Sequence, residues 1–246
     1  MSDMRPPKTD LPEQIVEAIR KAWPDGVIEM PADTGEAPFR DIYPTLKAGL
    51  SHIEGSAIFY EHEPQGRPQW GEGSDSGEEP PECDEEPRSY HVFFLSPLDD
   101  RFQFESETIE PDEAGVEQRF PGEGRTGCVV AVSLAAPWAV VRLDEMELFE
   151  TGSRSEPDVD PHIFSLDGRE LDLEEYYREM VDDEGLAVLR ELRARIARVL
   201  NDCQLSVIPE DDLDKPVPWL RADDEVFVGH AGKPITVRRA FFFRGV

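Results

Sequence analysis

"SYHVFFLSPLDDRFQFESETI", residues 89–109, decides how the rest of the chain is read. Tyr90 to Leu95 is apolar at nearly every position, as a central strand covered on both faces requires. From Arg101 the pattern changes to strict alternation. Phe102 and Phe104 point one way, and Arg101, Gln103, Glu105 and Glu107 the other, which is the signature of a strand with one wet face. The link "SPLDD" has turn chemistry, so the two strands are expected side by side and antiparallel.

Working outward, "SAIFYEH" (56–62) is β-branched and aromatic, and "TGCVVAVSL" (126–134) with "WAVVRLDEMELFE" (138–150) reads as a hairpin around "AAP". Five successive strands with short links imply an antiparallel meander. Ahead of them, Leu11, Ile15, Ile19 and Ala22/Trp23 form one helical stripe. Asp10 and Glu13 have the spacing of a capping box, and "PDG" (24–26) stops the helix. A short helix is expected near Tyr43–Leu50.

Behind the strands, "LDLEEYYREMVDDEG" implies a short acidic helix and "GLAVLRELRARIARVLNDC" a longer one. In the latter Leu186, Leu189, Leu192, Ile196, Leu200 and Cys203 recur every three or four residues. The end, "EVFVGHAGKPITVRRAFFFR", reads as a β-hairpin turning near Gly229–Pro234. The expected class is α+β: an antiparallel meander of about five strands with an N-terminal helix, then two helices and a C-terminal β-hairpin. Residues 1–150 form the first unit, with an acidic insertion at 63–88, and 151–246 the second. The Pro-, Asp- and Gly-rich stretch 151–168 either divides them or is a long loop within one continuous domain.

Composition bounds the function. Fifty-four acidic residues face 25 basic ones among 246, a formal charge of −29. Binding to phosphate backbones depends on Lys and Arg releasing counterions, so direct nucleic-acid binding is not expected. An anionic membrane surface repels such a chain for the same reason. Cys83, Cys128 and Cys203 are odd in number and far apart, which fits a reducing compartment. "MSDMRPPKTD" carries no apolar signal core, and "GCVVAVSLAAPWAVV" is too short to span a bilayer, so a cytoplasmic protein is expected.

Short motifs fail on context. "GEGRTG" (122–127) matches G-x-G-x-x-G, but a strand follows it where the dinucleotide fingerprint needs a helix, so its glycines are read as a turn. "GHAGKP" (229–234) is too short for a P-loop and has Pro234 at the hydroxyl position. No C-x-x-C or paired His spacing points to zinc.

Two function classes remain. In the first, the chain is a non-catalytic binding protein, of the immunity or antitoxin kind or an acidic adaptor, that engages a basic protein. Its contact residues are Trp70, Glu78, Glu79, Glu82, Asp84, Glu85, Glu86, Tyr176 and Tyr177. The carboxylates steer encounter and the aromatics supply contact energy, with no cofactor. In the second, "DVDPH" places Asp158, Asp160 and His162 on one face of an extended segment. A divalent cation held there would serve a hydrolase built on clustered carboxylates.

Overall fold

The computed structural model describes residues 10–28, 38–62, 88–111, 117–150, 154–155, 173–222 and 234–243. The fold is α+β, built on a curled, mixed seven-stranded sheet. Helix α1 (Glu13–Ala22) leads to a two-residue strand β1 (Val27–Ile28), and helix α2 (Pro38–Ser51) follows. Then come β2 (Ser56–His62), β3 (Tyr90–Pro97), a 3-10 turn at Asp100–Phe102, and β4 (Gln103–Pro111). The long strands β5 (Glu117–Ser133) and β6 (Trp138–Phe149) form the centre, and β7 (Arg154–Ser155) is short. Helix α3 (Leu173–Asp202), β8 (Ser206–Val207), α4 (Glu210–Leu213), β9 (Arg221–Ala222) and α5 (Val237–Phe241) complete the order.

The expected meander is corrected at the stretch that anchored it. β3 and β4 are not neighbours. Both pair antiparallel with β5, β3 along its C-terminal half (Leu95↔Cys128) and β4 along its N-terminal half (Gln103↔Arg125). They therefore run in the same direction, one after the other. The cause lies in "SPLDD": Asp99 accepts from the Arg101 N–H at 3.0 Å and caps the 3-10 turn. An Asp side chain bonded two residues on satisfies the backbone locally, and the chain jogs forward instead of reversing. Further departures are β8, which lies parallel to β6, and β1, which lies parallel to β9, so the pairing is mixed.

Around β3, the C-terminal half of β5 and the N-terminal half of β6 the sheet is buried on both sides, and side-chain alternation assigns each residue to a face. Tyr90, Val92, Phe94, Val129, Ala131, Trp138 and Val140 belong to one core, covered by α1 (Ile15, Val16, Ile19) and by Leu213, Val217 and Phe241–Phe243 near the C-terminus. Phe93, Leu95, Cys128, Val130, Val132, Ala139 and Val141 belong to the other, covered by α2 (Leu46, Leu50) and α3. The expectation that Tyr90–Leu95 is a two-faced strand thus holds, with Val92 to Leu95 fully buried.

In α3 the stripe Leu186, Leu189, Leu192, Ile196 and Leu200 is buried, as its spacing requires. The two expected helices meet at Asp182, whose backbone leaves the helical region (φ 62°) and whose carboxylate accepts the Gly185 N–H at 2.8 Å. Asp is a favoured N-cap, so the second helix restarts there. At α1 the cap is Pro12, without a side-chain hydrogen bond, so Asp10 and Glu13 form no capping box.

The C-terminal β-hairpin is also corrected. Residues 223–233 lie outside the described residues, and "VRRAF" is helix α5, not a strand. Thr236 caps it by accepting from the Arg239 N–H, and Arg238 is buried and grips Asp214 through two bonds of 3.0 and 2.9 Å. The glycines of "GEGRTG" are not a turn either: they lie inside β5. Gly124 and Gly122 receive the rings of Phe104 and Phe149, and Gly127 lets the Leu95 carbonyl approach to where a Cβ would stand, 2.2 Å away. Close approach, not ligand binding, is the reason for glycine at these positions.

Candidate functional site

Of the residues singled out for a partner, Trp70, Glu78, Glu79, Glu82, Asp84, Glu85 and Glu86 lie outside the described residues. So do Asp158, Asp160 and His162, the metal candidates. The described flanks place 63–87 in the connection between the antiparallel partners β2 and β3, where the insertion was expected. That segment carries nine acidic residues against Arg67, and 156–172 carries six against Arg169.

Tyr176 and Tyr177 are described, and they part company. Tyr177 is fully buried in the core beneath α3, so it presents no contact surface to a partner; that expectation is corrected. Its hydroxyl pKa is pushed up, first by burial and then by Asp144 and Glu145 nearby. Adjacent residues on a helix sit about 100° apart, so one of two neighbouring tyrosines turns inward. Tyr176 is half-buried and donates to Glu145 Oε1 at 2.9 Å. Burial raises the Glu145 pKa, the Tyr176 hydrogen bond opposes this, and Glu147 adds a repulsion.

A second polar cluster joins α2 to the β2–β3 pair. Glu61 on β2 accepts from three donors: Lys47 Nζ at 2.6 Å, the Tyr43 hydroxyl, and His91 Nε2 at 3.2 Å. Lys47 also reaches the Tyr43 oxygen at 3.1 Å, and the His91 ring lies 4.4 Å from Phe93 and 5.1 Å from Tyr43. Burial works to raise the Glu61 pKa, but the Lys47 and Tyr43 hydrogen bonds together hold it below the ordinary carboxylate range. The bonds from Lys47 to Glu61 and to the Tyr43 oxygen raise the Lys47 pKa.

The chemistry of this cluster follows from those directions. A general base works best with a pKa near the operating pH and a free lone pair aimed at substrate. Glu61 has neither, since it is held ionised by three donors. Lys47 is held protonated, so it is no nucleophile. Tyr43, Lys47, Glu61 and His91 therefore make a fastening between a helix and a sheet. None of them could be assembled from the sequence, because the β2–β3 register (Glu61↔Phe93) and the α2 contact exist only in the fold. Among the described residues no group of three or more His, Cys, Asp or Glu is arranged to hold a metal ion.

The described cations are largely tied to the protein's own carboxylates. Arg195 and Arg198 on α3 both bind Glu191, at 3.0 and 3.2 Å, and Arg193 reaches Glu210 at 3.5 Å. Arg101 binds Asp99, Arg119 binds Glu107 and Arg178 binds Asp183. Arg20 lies over the Trp219 ring and Arg125 over Phe59. The arginine face of α3, the one basic stripe in the sequence, is thus largely neutralised internally, as the Glu191–Arg195 spacing implies.

What the fold defines is an α+β protein with a two-faced mixed sheet. No family model, curated protein or solved structure matches this chain. No helix among the described residues is long and apolar enough to cross a membrane.

Proposed function

We propose that the chain is a non-catalytic binding protein, of the immunity or antitoxin kind or an acidic adaptor, that engages a basic protein partner. One observation carries this reading: the net charge is −29, and the described arginines and lysines are mostly engaged with internal carboxylates or rings. Most Asp and Glu among the described residues are exposed. A field of one sign raises the encounter rate with an oppositely charged protein and rejects acidic competitors. The insertion between β2 and β3 concentrates it, with Glu78, Glu79, Glu82, Asp84, Glu85 and Glu86 beside Trp70 in sequence.

The test is capture from native lysate at low ionic strength on the immobilised full chain, beside a variant with those six carboxylates replaced by amides. The reading expects a basic protein recovered in stoichiometric amount on the native chain and depleted on the variant. Recovery of no basic protein, or equal recovery on both, overturns it.

A further inference from the structure

We propose that the outer edge of β4 is the docking strand: an extended, arginine- or lysine-rich segment of the partner pairs with Gln103–Pro111 as an added strand. The inference rests on the reading above that the partner is basic. β4 is nine residues long and pairs with β5 from Gln103↔Arg125 to Pro111↔Glu117. On its other side it has no strand partner among the described residues. An uncovered edge presents a row of backbone donors and acceptors, and a peptide adding to such an edge draws affinity from main-chain hydrogen bonds.

The side chains on this edge choose the occupant. Gln103, Glu105, Glu107 and Ile109 are all exposed and, by alternation, share one face. The register continues that face across Glu123 of β5 to Leu148 of β6. A second copy of β4 would set carboxylate against carboxylate, and like charges opposite one another on a sheet repel. A segment with Arg or Lys alternating along it sets opposite charges across the ladder instead. Ile109 and Leu148, each about half exposed at 51% and 54%, give that face apolar contact as well. Arg119, which pairs with Glu107 at 2.8 Å, is itself exposed, and an exposed pair exchanges partners readily. The other long strands differ: β3 and β5 are paired on both sides, β6 is held on its second side at both ends by β7 and β8, and β2, the other edge strand, has no exposed side chain and no acidic row like that of β4.

The experiment titrates the full chain at low salt with a synthetic octapeptide of alternating Arg and Thr, and with a copy N-methylated at every residue, following affinity and backbone amide shifts. N-methylation keeps the charge and removes the strand-forming donors. The edge account expects β4 amides to shift, the methylated copy to bind at least about tenfold more weakly, and E105K/E107K to lose about tenfold. The same charge change on exposed positions of α1, E13K/E17K, is expected to cost much less, with all variants folded by circular dichroism. Equal binding of both peptides together with equal losses from the two double variants overturns the edge and leaves the basic-partner reading standing. Failure of both peptides to bind overturns both.

Discussion

Lys47 and Glu61 meet at 2.6 Å, and that contact fastens α2 to the start of the sheet. Because Tyr43 and His91 also donate to the same carboxylate, removing its charge weakens three bonds at once. Glu61→Gln is expected to lower stability at pH 7 by about 1 kcal/mol, the usual scale for hydrogen bonds to a partly exposed charged group. The sign with pH is fixed by linkage. The folded pKa lies below the ordinary value of 4.5, so the stabilisation is present above that value and lost as pH falls through the lower folded one. Urea titrations between pH 7 and pH 3 check this: the native chain is expected to lose more stability over that interval than Glu61→Gln.

Glu145 behaves in the opposite way. Its folded pKa is raised, burial being the main cause, so ionising it costs stability at neutral pH and the cost disappears as pH falls. Glu145→Gln retains an oxygen to accept from Tyr176 and removes the buried charge. The melting temperature at pH 7 is expected to rise by about 2 °C, and the gain to vanish in acid. A lower melting temperature at pH 7 contradicts the assignment.

The glycines of β5 separate two kinds of crowding. A Cβ at Gly127 would stand 2.2 Å from the Leu95 carbonyl oxygen, which is held in the β3–β5 ladder and cannot yield. At Gly124 the obstacle is the Phe104 ring at 2.1 Å, which is half-buried and can swing outward. Gly127→Ala is therefore expected to cost about 3 kcal/mol and Gly124→Ala about 1 kcal/mol, within the range for overpacked sites. Chemical denaturation of the two variants ranks them; the reverse order contradicts the packing described for this strand.

Ser89 ties the C-terminus to β3. Its hydroxyl accepts from the Phe243 N–H at 2.8 Å and donates to the Phe241 carbonyl at 3.2 Å, and its own N–H donates to the Phe243 carbonyl at 2.9 Å. Ser89 is fully buried, so Ser89→Ala removes the hydroxyl's bonds to the Phe243 N–H and the Phe241 carbonyl at a cost of about 2 kcal/mol. Hydrogen exchange should then speed up selectively at residues 241–243. Unchanged protection there would show that the serine does not hold the tail.

Much of the fold can be read directly from residue patterns. The 56–62 strand, the 126–150 hairpin and the α3 stripe follow from periodicities that tertiary contacts reinforce. The errors share one cause: local chemistry that satisfies the backbone in a way a pattern does not reveal. Asp99 turned an expected reversal into a jog, and Thr236 with Arg238 and Asp214 turned an expected strand into α5. Tyr176 and Tyr177 looked equivalent as neighbours, and only the helix phase buried one of them. The Glu61 cluster was hidden because its four members come from α2, β2 and β3. The net charge of −29, by contrast, is a sum over the whole chain and survives every local misreading.

That sum is the central claim, and the association rate between the chain and its captured basic partner tests it most directly. Rates should be compared from about 10 mM to about 1 M salt, over which the screening length shrinks from roughly 30 Å to 3 Å. Steering by the acidic surface predicts a rate that falls at least tenfold across this range, with a smaller fall when the six carboxylates between Glu78 and Glu86 are amides. A rate that is flat with salt, or equally steep in the variant, would contradict it.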